Sequence, residues 1–262
     1  MSQQAPVALR PRRPVPALDA AIAATADDDP QPWRPQQAFA ALVAIIVVLT
    51  AFGAVVQALG LHGWQESWAT VLAEIVLAAP VVLYARPIVA ASGGWGPALG
   101  LTWLRWRDVR LAVGWTLVQF GARIALSAVL LVLLPAARHE RVSNVPTLDN
   151  KPLTELLPLI VAIVVMAPIV EELAFRGLML RIFMRRWGFV VAAIITSVLF
   201  GLLHFEQAGG PAASVILAAT LGLFGYLQAV VVRRTARLAP AMLVHALNNG
   251  VVVLFALHLH FG

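Results

Sequence analysis

The sequence predicts an all-α protein, a polytopic bundle of about seven transmembrane helices, and three observations predict it. Apolar residues fill 60% of the 262 positions and charged residues only 12%, with a mean hydropathy of +0.84. Soluble domains carry roughly 45–50% apolar and about 25% charged residues, so a soluble globular class is excluded. Apolar stretches long enough to cross a hydrocarbon core of about 30 Å recur along the chain. Finally, the cations collect between those stretches in alternation, as helix-flanking loops require.

Residues 1–36 stand apart, being rich in Pro, Ala, Arg and Asp with no long apolar run, and are expected to form a flexible cytoplasmic tail. Residues 37–262 read as one transmembrane domain. Its apolar stretches run approximately over 38–61, 68–86, 110–134, 156–180, 188–205, 213–232 and 238–259. Arg10, Arg12, Arg13 and Arg34 precede the first, and Arg86, Arg105, Arg107 and Arg110 separate the second from the third. Arg176, Arg181, Arg185 and Arg186 follow the body of the fourth, and Arg233, Arg234 and Arg237 separate the sixth from the seventh. These fifteen fall on one side of a seven-span alternation, and only Arg138, Arg141 and Lys151 on the other. The split predicts a cytoplasmic N-terminus and an external C-terminus.

The net charge of +6 and the pI near 11.1 are explained by those helix-end cations, and no nucleic-acid partner is expected. Trp95, Trp103 and Trp106 beside cations mark an interfacial segment over 93–110. The absence of cysteine excludes disulfides, thiolate metal sites and a cysteine nucleophile. Low lysine with high alanine and arginine suggests a bacterial cytoplasmic membrane.

Ionisable groups inside spans carry the functional signal, because a charge at that depth costs at least ~2.5 kcal/mol. In the fourth span Glu171 and Glu172 are adjacent, with Arg176 one turn beyond. Glu172 and Arg176 stand at i and i+4 in the favoured order and read as a local ion pair. Glu171, rotated about 100° away, has no such cation in its own helix. Pro168 is expected to kink the helix just before the pair.

A hairpin turning at Trp187–Gly188 would bring residues equidistant from the turn to one depth. Glu171 and His204 are so placed, and Phe200 lies one turn from His204. In the last span His245 and Asn249 share a face at i and i+4. Counted from Arg237 and Arg181, all four polar groups fall in one layer nearer the cytoplasmic side. A carboxylate, two imidazoles and a carboxamide in apolar surroundings suit activation of water and binding of an oxyanion.

Glu171, Glu172 and Arg176 as EExxxR, Phe200 and His204 as FxxxH, and His245 and Asn249 as HxxxN occur in order on apolar helices. In these motifs, over roughly 150–255, the sequence resembles the CPBP family of intramembrane proteases, the CAAX prenyl protease 2 or abortive-infection type. The resemblance implies a helical endopeptidase whose site opens to the cytoplasmic side. It also implies that Glu171 and His204 activate a water while His245 and Asn249 hold the oxyanion or position the water. A peptide or membrane-protein substrate and the lipid bilayer are the implied partners.

Other proteolytic chemistries fit poorly. No HExxH is present, His139-Glu140 does not begin one, no Asp falls in a span, and Ser197 lacks the flanking glycines of a nucleophile elbow. Zinc held by Glu171, His204 and His245 is chemically permissible, but Asn249 favours a site built around a carbonyl oxygen, and no tightly bound metal is expected. A proton-coupled transporter and a catalytically silent immunity or partner protein are the competing readings. Glu74 and Arg123 are expected to form a buried ion pair, Gly222 and Gly225 to mark close helix packing, and His258 and His260 to be solvated.

Overall fold

The computed structural model describes residues 17–24, 34–140, 142, 148, 151–205 and 209–258. Among them the chain is helical and has no strand. It runs through α1 (Ala17–Ala24), α2 (Pro35–Ala58), α3 (Trp64–Ala91), the short α4 (Trp95–Leu99) and α5 (Trp106–Leu133). A 3₁₀ turn (Pro135–His139) leads towards α6 (Leu153–Ile160) and α7 (Ala167–Glu172). The last helices are α8 (Leu180–Leu202), α9 (Pro211–Thr235) and α10 (Leu238–His258). Proline opens α2 and α9, where its missing N–H is no loss and its fixed φ suits the first turn. Asp108 caps α5 by accepting the Arg105 backbone N–H at 2.8 Å.

Among the described residues six helices are long and apolar enough to cross a membrane, and the chain is an integral membrane protein. The fourth, Leu153–Leu202, has 50 residues, or ~75 Å at the standard rise, far more than one crossing. Gly188 breaks it with φ 73° and ψ 174°, a conformation that a side chain would strain. The break makes two passes of one continuous segment, so about seven crossings result. The hairpin register is the one expected from the sequence. Phe175 and Phe200, equidistant from Trp187–Gly188, meet edge to face with ring centroids 5.2 Å apart.

Two stretches of the first pass are π-helical, Val161–Met166 and Leu173–Met179, flanking the six residues of α7. Pro168 is the second residue after the first of them. The irregularity expected from this proline is thus a wide turn before it, and such turns gather at functional sites.

Contacts between connections define two opposite faces. On one, Arg237 reaches Asp108 at 2.8 Å, Thr102 at 2.8 Å and the Trp103 carbonyl at 2.6 Å. On the same face Arg181 donates to the Ala236 carbonyl and Leu238 N–H to the Gly100 carbonyl, each at 2.8 Å. Exposed Trp103 and Trp106 lie here too, as an interfacial segment would. On the other face Glu140 accepts the Ala213 N–H at 2.6 Å, Lys151 pairs with Glu155 at 3.3 Å, and Gly63 packs on Glu155. The cation-rich connections therefore share one face and the cation-poor ones the other.

Part of the segment expected to be a flexible tail is ordered on the cation-rich face. In α1, Leu18 is fully buried and Asp19 grips Arg233 through a bidentate ion pair, 2.7 Å at its shortest. The charge pair and the buried leucine explain why these eight residues dock despite their composition. Residues 1–16 and 25–33 lie outside the described residues, as does His260 and the side chain of His258.

Candidate active site

The polar groups of α7, α8 and α10 converge on one cavity of about 540 Å³. Glu171, His204, His245 and Asn249 all line it, together with Phe200. The hairpin at Gly188 delivers Glu171 and His204, and α10 delivers His245 and Asn249 from one face.

His245 stands between the two glutamates. Its Nδ1 lies 2.9 Å from Glu172 Oε1, and its Nε2 lies 3.6 Å from Glu171 Oε2. A carboxylate can only accept, so Nδ1 carries the proton and the ring is fixed with Nε2 towards Glu171. The second distance is too long for a hydrogen bond. The Nδ1 of His204 is likewise committed, at 2.8 Å from the Phe200 carbonyl. The neutral ring therefore presents Nε2 as an acceptor.

Glu172 is fully buried and its Oε1 is shared by three partners: His245, Arg176 at 3.3 Å and Gln228 at 3.2 Å. The Glu172–Arg176 pair is present as expected, and Glu172 also orients a site histidine. Arg176, equally buried, stacks its guanidinium 4.8 Å from the Phe200 ring centroid and 5.6 Å from that of Phe175. Gly225 makes room for it, since a Cβ there would stand 3.0 Å from Arg176 Nη2. A Cβ on Gly222 would stand 3.4 Å from the Ser197 carbonyl, an ordinary contact, so of the two glycines Gly225 is the one that close packing needs. The hydroxyl of Ser197 is buried and donates to the Ala193 carbonyl.

Asn249 donates from Nδ2 to the Ile163 carbonyl at 2.8 Å, inside the first π-helical stretch. One amide hydrogen remains for a ligand.

A polar chain absent from the motif reading supports this group from behind. Gln119 of α5 donates to Gln228 of α9 at 3.2 Å and accepts from Asn248 of α10 at 3.1 Å. Gln228 in turn donates to Glu172 and, at 2.9 Å, to the Ala241 carbonyl. The available signal was three carboxamides inside otherwise apolar spans, one of them next to Asn249.

Glu74 and Arg123 do not form the expected ion pair. Both line the cavity instead, and the Arg123 guanidinium lies 5.8 Å from the Phe224 ring centroid. Glu171 is consequently not alone, because Glu66 and Glu74 supply the cavity with further carboxylates.

Zinc at Glu171, His204 and His245 finds no ready ligand set: among the described residues no three His, Asp or Glu side chains gather as a metal group would need.

A helical membrane bundle with a buried cavity lined by acids, imidazoles and an amide belongs to the class of integral membrane proteins equipped for acid–base chemistry. Residues 153–251 match the family described as Type II CAAX prenyl endopeptidase Rce1-like, and all three motifs fall inside the match. This segment, less than half of the chain, is Rce1-like, and the family is one of CPBP-type membrane peptidases. No curated protein and no solved structure matches the chain.

Proposed function

We propose that the protein is an intramembrane endopeptidase that hydrolyses a peptide bond with a water activated by Glu171 and His204. The observation that carries this reading is the convergence of Glu171, His204, His245 and Asn249 on one cavity. Glu171 takes one proton from the water as the water oxygen bonds to the scissile carbonyl carbon, while the hydrogen that stays on that oxygen donates a hydrogen bond to His204 Nε2. The carbonyl electrons move onto oxygen, where the free Asn249 amide hydrogen and the charged form of His245, donating from Nε2, receive them. The proton held by Glu171 then passes to the departing amide nitrogen as the C–N bond breaks, regenerating the carboxylate. Glu172 is the positioning residue for His245, and Arg176 offsets its charge. Phe200 walls the cavity and carries the carbonyl that fixes His204.

The substrate is a peptide or a segment of a membrane protein, and the surrounding bilayer is the other partner. Nucleic acid plays no part. The N-terminus faces the cytoplasm and the C-terminus the outside, in a bacterial cytoplasmic membrane. The test compares membrane proteomes of cells carrying the wild type and Glu171→Gln for new peptide termini. Wild-type-dependent termini are expected, and their full persistence with Glu171→Gln would overturn the reading. Activity of the purified protein is expected to survive exhaustive chelation. Loss restored by zinc would make Glu171, His204 and His245 ligands.

A further inference from the structure

Arg123 lines the catalytic cavity and has no part in the chemistry above. It sits within α5, at a depth where a guanidinium is costly and is kept for a partner or a function. Among the described residues no carboxylate stands within ion-pair distance of it. Its buried Nε donates to nothing. Its place is nevertheless fixed, because the polar chain one turn away pins α5 to both neighbours. The pairs Asp108–Arg237 and Gln119–Asn248 show α5 and α10 running in the same direction, so Arg123 is level with Val252, another residue of the cavity wall. Gln119 also bonds Gln228 of α9, and one turn on Arg123 meets the Phe224 ring.

Phe224 links this cation to the catalytic group. The guanidinium lies 5.8 Å from the Phe224 ring centroid and that centroid 4.8 Å from the His245 ring, which puts the cation within about 11 Å of the imidazole. An extended peptide rises about 3.3 Å per residue, so a substrate group held by Arg123 belongs to a residue no more than about three from the bond being cut. A guanidinium stays charged and presents paired N–H groups that match the two oxygens of a carboxylate. Elsewhere in the cavity Glu66, Glu74 and Glu171 repel an anion, and Lys151 is already paired with Glu155. A substrate carboxylate is therefore stabilised at the Arg123 end and opposed along the α3 wall.

Resting on the proteolytic reading above, we propose that Arg123 is a substrate-binding residue that receives a carboxylate of the peptide, within about three residues of the scissile bond. The carboxylate comes from an acidic side chain or from a free chain end. Arg123 thereby sets which peptides are cut and in which direction they lie, while Glu171 and His204 do the chemistry.

The test measures binding of three probes to the full chain in detergent, with Glu171→Gln present so that no probe is consumed. Acetyl-Leu-Leu-Asp amide offers a side-chain carboxylate, acetyl-Leu-Leu-Ala a terminal one, and acetyl-Leu-Leu-Asn amide is the neutral control. At least one carboxylate probe is expected to bind about 10- to 100-fold tighter than the control, as hydrogen bonds to a charged group allow, and which one does so identifies the source. Adding Arg123→Gln should abolish the margin. Arg123→Lys, which keeps the charge and loses the fork, should narrow it, and carries the same comparison if Arg123→Gln fails to fold. No carboxylate preference with Arg123 in place, or a preference that survives its replacement undiminished, would overturn the proposal. The second arm reads the sequences around Glu171-dependent termini in the membrane proteome. A carboxylate within about three residues of the cut supports the proposal, and sites without one overturn it. Arg123-dependent binding with no Glu171-dependent terminus anywhere would strike the proteolytic reading and leave the carboxylate subsite standing.

Discussion

Helices α2 and α9 are both long, apolar spans, yet they occupy opposite situations. In the most apolar window of α2 only 11% of residues are buried inside the protein, against 56% for α9. The more buried helix is the more polar one. α9 carries Ser214, Thr220, Gly225 and Gln228 at its buried positions, whereas α2 buries only Ala38, Ala41 and Leu42. Lipid is as apolar as leucine, so hydrophobicity alone cannot draw one helix against another. Small residues that admit close approach, and polar groups that need a partner, mark the interior of this bundle.

The largest effect expected from the polar interior is on chemistry. Glu171→Gln keeps the shape and removes the base, and should lower any peptidase rate by about 10²–10⁴ with little change in folded yield. Turnover of a substrate recovered from the proteome comparison, measured beside thermal unfolding in detergent, separates the two. A Glu171→Gln protein of reduced stability but unaltered rate would reverse the roles assigned to the glutamates.

Next comes Arg176→Ala, which strands Glu172 in a dry site and should cost about 3–5 kcal/mol, as breaking a buried pair does. The folded fraction after membrane extraction should fall further than with any substitution in α2. Gln228→Leu removes three buried hydrogen bonds, to Glu172, to the Ala241 carbonyl and from Gln119, and about 1–3 kcal/mol is expected. The smallest effect belongs to the lipid-facing helix. Val47→Ala, at a side chain 59% exposed, should shift stability by no more than about 0.5 kcal/mol. A Val47→Ala variant that melts as early as Arg176→Ala would erase the distinction between the two regions.

Much of this interior was legible beforehand, and unevenly. The span alternation, the hairpin at Gly188 and the layer holding Glu171, His204, His245 and Asn249 follow from spacing, because a helix converts residue number into depth. What spacing cannot supply is which face of one helix meets which face of another. For that reason spacing does not reveal Gln119, Gln228 and Asn248 as a connected chain, and the ion pair expected of Glu74 and Arg123 gives way to two side chains that both line the cavity. The π-helical stretches have no local signature beyond Pro168. Docking of α1 depends on Asp19 finding Arg233, 214 positions away.

The fully interred Arg176 also constrains how the protein is made. A lone arginine at the middle of a nascent helix opposes release from the insertion machinery into lipid by roughly 2.5–3.5 kcal/mol, and an unpaired acid adds a similar barrier. In this chain Glu172 precedes Arg176 by one turn, so the opposing charges emerge from the ribosome almost together and can neutralise each other before the helix leaves the channel. The Phe200 ring that covers the guanidinium arrives only with the second arm of the hairpin. Membrane integration of these two passes is thus a paired event, and the first arm stays half-shielded until the second brings its cover.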